Sequence, residues 1–187
     1  MTVTGVFRSD PNTAEINAKI TKADTDHTIA YTQYQIKASE DKAFFVSKLW
    51  PHISSGATAD LTIINPAGSG KTIHIMTTKM STTDQAWIKY VIDPTLQGGT
   101  QIQPVPFRVG STATSVAQVI IDVTNYSGGT VVGEEVIPGG SGNKAVGGMD
   151  EGLVAFVIPP GHSVLFEVIN KSSNANQISI RVDWWEE

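Results

Sequence analysis

From about Ile29 onward, apolar and polar residues alternate over short stretches that are cut by turn residues. That pattern predicts an all-β chain of short antiparallel strands. The stretches are Ile29–Lys37, Ala43–Leu49, Ala59–Ile64, Thr72–Thr78, Ala86–Ile92, Ala117–Thr124, Thr130–Ile137, Gly152–Ile158, Ser163–Ile169 and Gln177–Trp184. The period is two where it is clearest. Val164, Phe166 and Val168 face one way and Leu165, Glu167 and Ile169 the other; Ile178, Ile180, Val182 and Trp184 oppose Ser179, Arg181 and Asp183. One face of each strand is expected to be core and the other to meet water or a partner.

Breakers fall between these stretches, in Asn65-Pro66-Ala67-Gly68-Ser69-Gly70, Tyr126-Ser127-Gly128-Gly129, Pro159-Pro160-Gly161 and Lys171-Ser172-Ser173-Asn174. They read as hairpin corners, with Pro66 fixing φ and Gly68 and Gly70 taking positive φ. No stretch makes a convincing amphipathic helix. Asp84 to Ile92 comes nearest, and its β-branched and aromatic bias favours strand. Eight or so antiparallel strands with alternating long and short corners predict an antiparallel β-sandwich of jelly-roll type over residues 29–187. Residues 1–28 are polar and poorly periodic and read as an extended N-terminal arm or accessory strands. Nine of the seventeen glycines lie between residues 128 and 152, which predicts a long connection of the kind that carries recognition on rigid β scaffolds.

Composition narrows the function classes. The chain has 187 residues, which suits one domain with a sizeable core, and it has no cysteine, which removes disulfides, thiolate nucleophiles and cysteine metal sites. Six basic and six acidic residues in the first 50 are followed by seven against twelve, and no lysine or arginine cluster is present. Nucleic-acid binding is therefore not expected. No apolar run approaches the roughly 18 residues of a membrane helix, and the first residues lack the basic-then-apolar start of a secretory signal. The expectation is a protein made in the cytoplasm, with no membrane partner.

The stretch NPAGSGKTIHI, residues 65–75, holds most of a phosphate loop, because Gly70, Lys71 and Thr72 match the end of G-x-x-x-x-G-K-[ST]. Asn65 stands where the first glycine belongs, and the alternating residues after Lys71 form strand rather than the helix whose N-terminus would receive phosphates. A turn explains the stretch more simply. His27, His52, His74 and His162 include no His-x-His pair of the cupin kind. Glu134-Glu135 and Asp150-Glu151 read as solvated loop charges rather than paired glycosidase carboxylates. No G-x-S-x-G elbow is present. Neither a catalytic residue nor a cofactor is expected. Trp184 and Trp185 must face opposite sides of a strand, so one is core and the other covers a sheet edge or anchors a subunit interface.

An apolar strand running into NPAGSGKTIHI, then VIPPGHSVLFEVINKSS and the terminal ISIRVDWWEE, resembles the jelly-roll structural proteins in virions of tailed bacteriophages. The resemblance covers roughly residues 42–187. It implies a non-enzymatic building block, similar to capsid cement or decoration proteins that often trimerise over junctions between major capsid subunits. The implied location is the capsid exterior, and the implied partners are the major capsid protein and further copies of the chain. The contact candidates are Phe7 and Arg8 in the arm, Gly139, Gly140, Gly142, Gly147 and Gly148 in the glycine-rich loop, and Trp185. The alternative is a tail, collar or host-attachment module that binds carbohydrate or a receptor, with Trp50 or Trp87 stacking on sugar.

Overall fold

A computed structural model of the chain describes residues 33–139, 149–152 and 156–187. The arm candidates Phe7 and Arg8 and the loop candidates Gly140, Gly142, Gly147 and Gly148 lie outside them. The elements are α1 (Gln33–Ser39), β1 (Ala43–Ile53), β2 (Thr58–Ile64), β3 (Ile73–Thr82), β4 (Ala86–Ile92), β5 (Thr95–Gln97), β6 (Thr100–Ile102), β7 (Val105–Pro106), β8 (Gln118–Ile121), β9 (Asn125–Ser127), β10 (Thr130–Ile137), β11 (Met149–Gly152), β12 (Val157–Ile158), β13 (Ser163–Asn170) and β14 (Asn176–Glu186). They form an all-β antiparallel sandwich. One sheet runs β11-β3-β14-β1-β7, with β12 also on β3, and the other runs β10-β4-β13-β2-β8-β6. β5 and β9 make a separate two-stranded ribbon.

The predicted inward residues fill the space between the sheets. Val164, Phe166 and Val168 meet Ile178, Ile180, Val182 and Trp184, together with Phe44, Leu61, Ile63, Met80 and Ile88. Alternation drives this arrangement, since every second side chain can leave water without burying its polar neighbour.

The corners differ from the expectation. Asn65–Gly70 joins β2 in one sheet to β3 in the other, and the same change of sheet occurs at 54–57, 83–85, 159–162 and 171–175. These corners arch between layers instead of closing hairpins, because alternation marks a strand without naming its partner. Gly70 has φ +65°, as expected, but Gly68 is not in the left-handed region. An arch leaves backbone groups without ladder partners, and buried asparagines supply them. Asn65 donates through Nδ2 to the carbonyls of Lys71 and Ile158, both at 2.8 Å. Asn176 Oδ1 accepts from the Thr83 and Asp84 amides at 2.9 and 3.0 Å, and Asn170 Nδ2 donates to Ile53 and Asn174 at 2.8 and 2.7 Å.

The expected strand Ile29–Lys37 is overturned within the described residues, where 33–39 form α1. Gln33 to Ser39 contains a single β-branched residue, and Asp41, at φ +59°, turns the chain out of the helix into β1. Lys37 fastens the helix to the outer side of the first sheet: its Nζ lies 4.4 Å over the Trp185 ring and 3.3 Å from Glu187 Oε2. Of the stretch expected as one strand, Gly152–Ile158, the described residues place Gly152 at the end of β11 and Val157–Ile158 in β12, and both strands pair with β3.

Candidate interaction surface

The residues that looked chemical in the sequence are used as fasteners. Lys71 Nζ lies 3.4 Å from Oε2 of Glu186, whose side chain is fully buried. Glu186 also accepts from Trp184 Nε1 at 3.2 Å, from the Val116 amide at 3.1 Å and from the Ser115 hydroxyl. The backbones of Thr72 and Glu187 exchange two hydrogen bonds, at 2.6 and 3.1 Å. The lysine of the phosphate-loop look-alike thus serves a buried carboxylate at the end of β14, and the loop from Ser111 to Ala117 is held by the same acid.

His74 and His162 are likewise engaged, whereas His52 is exposed and His27 lies outside the described residues. His162 Nδ1 and the Ser163 amide both lie 2.8 Å from the Asp93 carboxylate. Burial disfavours the charged Asp93, but these two contacts outweigh it and hold the carboxyl below its usual value. His74 stacks flat on Trp185, with centroids 3.8 Å apart and planes 3° off parallel. Its Nε2 is 3.4 Å from Glu187 Oε1, close enough for charge attraction but outside hydrogen-bond geometry. Burial lowers the His74 pKa, Glu187 opposes that, and Lys37 adds to it. Among the described residues no group of three or more His, Asp or Glu is placed to hold a metal ion. A groove of about 420 Å³ runs beside Val109 to Ala113, crossed by the 2.9 Å Arg108–Asp41 ion pair.

On the outer side of the second sheet, Asp60 on β2 pairs in register with Glu167 on β13. The chain between β4 and β10 folds back over them. Tyr126 O–H donates to Glu167 Oε2 at 3.1 Å, and the Val123 amide donates to Asp60 Oδ1 at 3.1 Å. Asp122, at φ +54°, turns that segment and accepts from Trp50 Nε1 at 2.6 Å. Burial raises the Asp60 carboxyl to about 6, with Asp122 and Glu167 adding to the rise and the Val123 amide opposing it. Burial, then Glu167 and to a lesser degree Asp60, push Tyr126 up to about 12. β13 is therefore buried on both faces, Leu165 as fully as Phe166.

Beyond this cover the second sheet is open. β10 pairs with β4 on one side, and no strand among the described residues pairs with its other side. Val131, Val132 and Val136 on β10 are 52%, 47% and 60% exposed, and Trp87, opposite Val136, is 44% exposed. Between Val131 and Val136, Glu134 faces Lys89 at 4.0 Å. Lys171 Nζ sits 4.2 Å over the Trp87 ring. This is the clearest concentration of exposed apolar side chains among the described residues, and it lies on an open strand edge, where proteins commonly meet partners.

Of the contact candidates, Gly139 lies two residues past the end of β10 and packs on the β3–β4 arch, where a Cβ would come within 2.6 Å of Asp84 Oδ1 and 2.9 Å of Gln85 Cβ. Trp185 is 7% exposed and covered within its own chain by His74 and Lys37. Trp50, a sugar-stacking candidate, is buried in the core. The valines of β10 were not singled out by sequence reasoning. Their signal is present, since TVVGEEVI places valines on both faces of a strand that also carries two glutamates.

A scan against protein-family models gives no match, and a search of curated proteins finds no similar sequence.

Proposed function

We propose that the protein is a non-enzymatic structural component of a tailed-phage virion, most simply a capsid cement or decoration subunit on the capsid exterior. It works by burying its open surface against the major capsid protein and further copies of itself, as a homotrimer over subunit junctions. The observation that carries this reading is the row Trp87, Val131, Val132 and Val136 along an edge of β10 that no strand among the described residues pairs with. The strand order supports a jelly-roll reading: β1-β14-β3-β11 stacks on β2-β13-β4-β10, with long strands changing sheet at each step except from β4 to β10, and a double-sheet jelly roll of the kind found in capsid and lectin domains would be wired in this way. A subunit that binds the assembled shell but not its separated parts stabilises the shell by mass action.

The test is copy number and particle binding. Purified virions should carry hundreds of copies, and particles stripped of the protein should rebind it and regain resistance to heat. A copy number of about a dozen or fewer would instead favour the tail or host-attachment reading. For that reading Trp87 is the remaining stacking candidate, and glycan binding lost on Trp87→Ala would support it.

A further inference from the structure

We propose that the β5–β9 ribbon is a proton-operated flap over the outer face of the second sheet, closed when Asp60 carries a proton and released when Asp60 is ionised. The device needs no partner and stands apart from the capsid reading. β5 and β9 pair with each other and with neither main sheet. All four ends of this ribbon carry residues in the left-handed region: Asp93 at φ +53° before β5, Gly98 and Gly99 at +68° and +106° after it, Asp122 at +54° before β9, and Gly128 and Gly129 at +66° and +77° after it. Hinges are a few element-terminal residues of this kind, which absorb the backbone change while the element between them stays intact. Closed, the ribbon lies on a row that crosses the sheet from Ile120 through Thr62 and Leu165 to Val91. Its ends seat directly there, since a Cβ on Gly129 would come within 2.9 Å of Val91 Cγ1 and one on Gly99 within 2.5 Å of Ile120 Cγ2. Thr62 and Leu165 are fully buried beneath it.

The next row across the sheet is charged. Asp60, Glu167, Lys89 and Glu134 stand in register on β2, β13, β4 and β10, and Asp122 adds a third carboxylate beside Asp60. Lys89 reaches away to Glu134, and none of the ion pairs among the described residues includes Asp60, Asp122 or Glu167. The ribbon and its lead-in are clasped to this row through the Val123 amide on Asp60 and the Tyr126 hydroxyl on Glu167. Tyr126, held up at about 12, stays a donor throughout the ordinary pH range. Closure therefore takes two adjacent carboxyls out of water with no cation to offset them. A proton on Asp60 relieves both the burial and the repulsion, and the second carboxyl oxygen can carry it while Oδ1 still accepts from Val123. Once that proton is lost, lifting the ribbon returns both carboxylates to water. The closed form holds the Asp60 proton to about 6, against 3.8 for an exposed carboxyl. Opening is therefore least favoured below about pH 4, becomes easier as pH rises, and levels off above about pH 6, a total change of about a hundredfold.

Hydrogen exchange of the Val123 amide in the full chain, corrected for intrinsic rates, reads the opening. Between about pH 4 and pH 8 its protection should fall about a hundredfold, with the weak urea dependence of a local opening. In Asp60→Asn the side-chain oxygen still accepts from Val123 but no longer ionises, so protection at pH 8 should stay near the value at pH 4. The amides of β13 report in the same spectra whether the body of the variant is intact. Protection of Val123 that does not change with pH overturns the inference. So does a fall that persists in Asp60→Asn, as titration of His162 at the Asp93 hinge would produce. A urea dependence as steep as that of the β13 amides overturns it as well, because the whole body then unfolds and the ribbon has no motion of its own.

Discussion

β14 and β10 are both long alternating strands, yet the fold uses them in opposite ways. β14 lies inside its sheet, paired with β1 and β3, and nearly all of its side chains are buried, including Trp185 on the outer face and Glu186 at the end. Among the described residues β10 is paired on one side alone, and three of its valines are exposed. The difference follows from neighbours rather than composition. An apolar side chain is spent on stability where a layer covers it and is available for association where none does.

Substitutions at matched positions should separate these two uses. The largest effect belongs to the centre of β14, where Trp184→Ala removes a fully buried ring and should cost about 4 kcal/mol in chemical denaturation. Retention of wild-type stability would contradict its core placement. Glu186→Ala should follow at about 3 kcal/mol, since it strands the buried donors of Ser115, Val116 and Trp184.

A third substitution concerns the covered part of the second sheet and reverses the sign. Asp60 binds its proton more tightly folded than unfolded, so its charged form weakens the fold above about pH 6, and that cost vanishes as pH falls towards 4. Asp60→Asn should therefore stabilise by about 2 kcal/mol at pH 8 and change little at pH 4. Melting curves across that range test it, and an equal effect at both ends would break the link to ionisation. Lys71→Ala should cost only about 1 kcal/mol, because this lysine is partly solvated and Glu186 keeps its other donors. A loss equal to that of Glu186→Ala would make the lysine the main support of the acid. Smallest of all, Val136→Thr should leave unfolding within about 0.5 kcal/mol of wild type while weakening the capsid association proposed above. A large loss of stability there would mean that β10 is covered within its own chain.

Sequence pattern carried β4 and β10 to their observed ends and separated Trp184 from Trp185 correctly by face. Period two is a local property of a strand, so it could do this much. Partnership is not local. Nothing near Asn65–Gly70 tells whether the next strand lies beside β2 or across the core, and nothing near Lys71 points to Glu186, 115 positions away. The burial of Leu165 and Glu167 depends on the fold-back of Val123 and Tyr126, which no alternation within β13 encodes. The helix α1 was missed because its hold on the body comes from Lys37 on Trp185 and Glu187 rather than from helical periodicity. For the candidate surface, the sequence displayed the valines of β10 but not that β4 is the one strand among the described residues to pair with it.

The place of β14 also sets the order in which the molecule can assemble. It is the last of the described strands in chain order and fills the gap between β1 and β3, so the first sheet cannot close until β14 has joined it. Contacts so remote in sequence raise contact order and slow folding. Until β14 arrives, β1 and β3 are two bare edges prone to wrong pairing. A product truncated before Asn176 lacks the central strand altogether, which ties commitment to the native state to the arrival of that one strand.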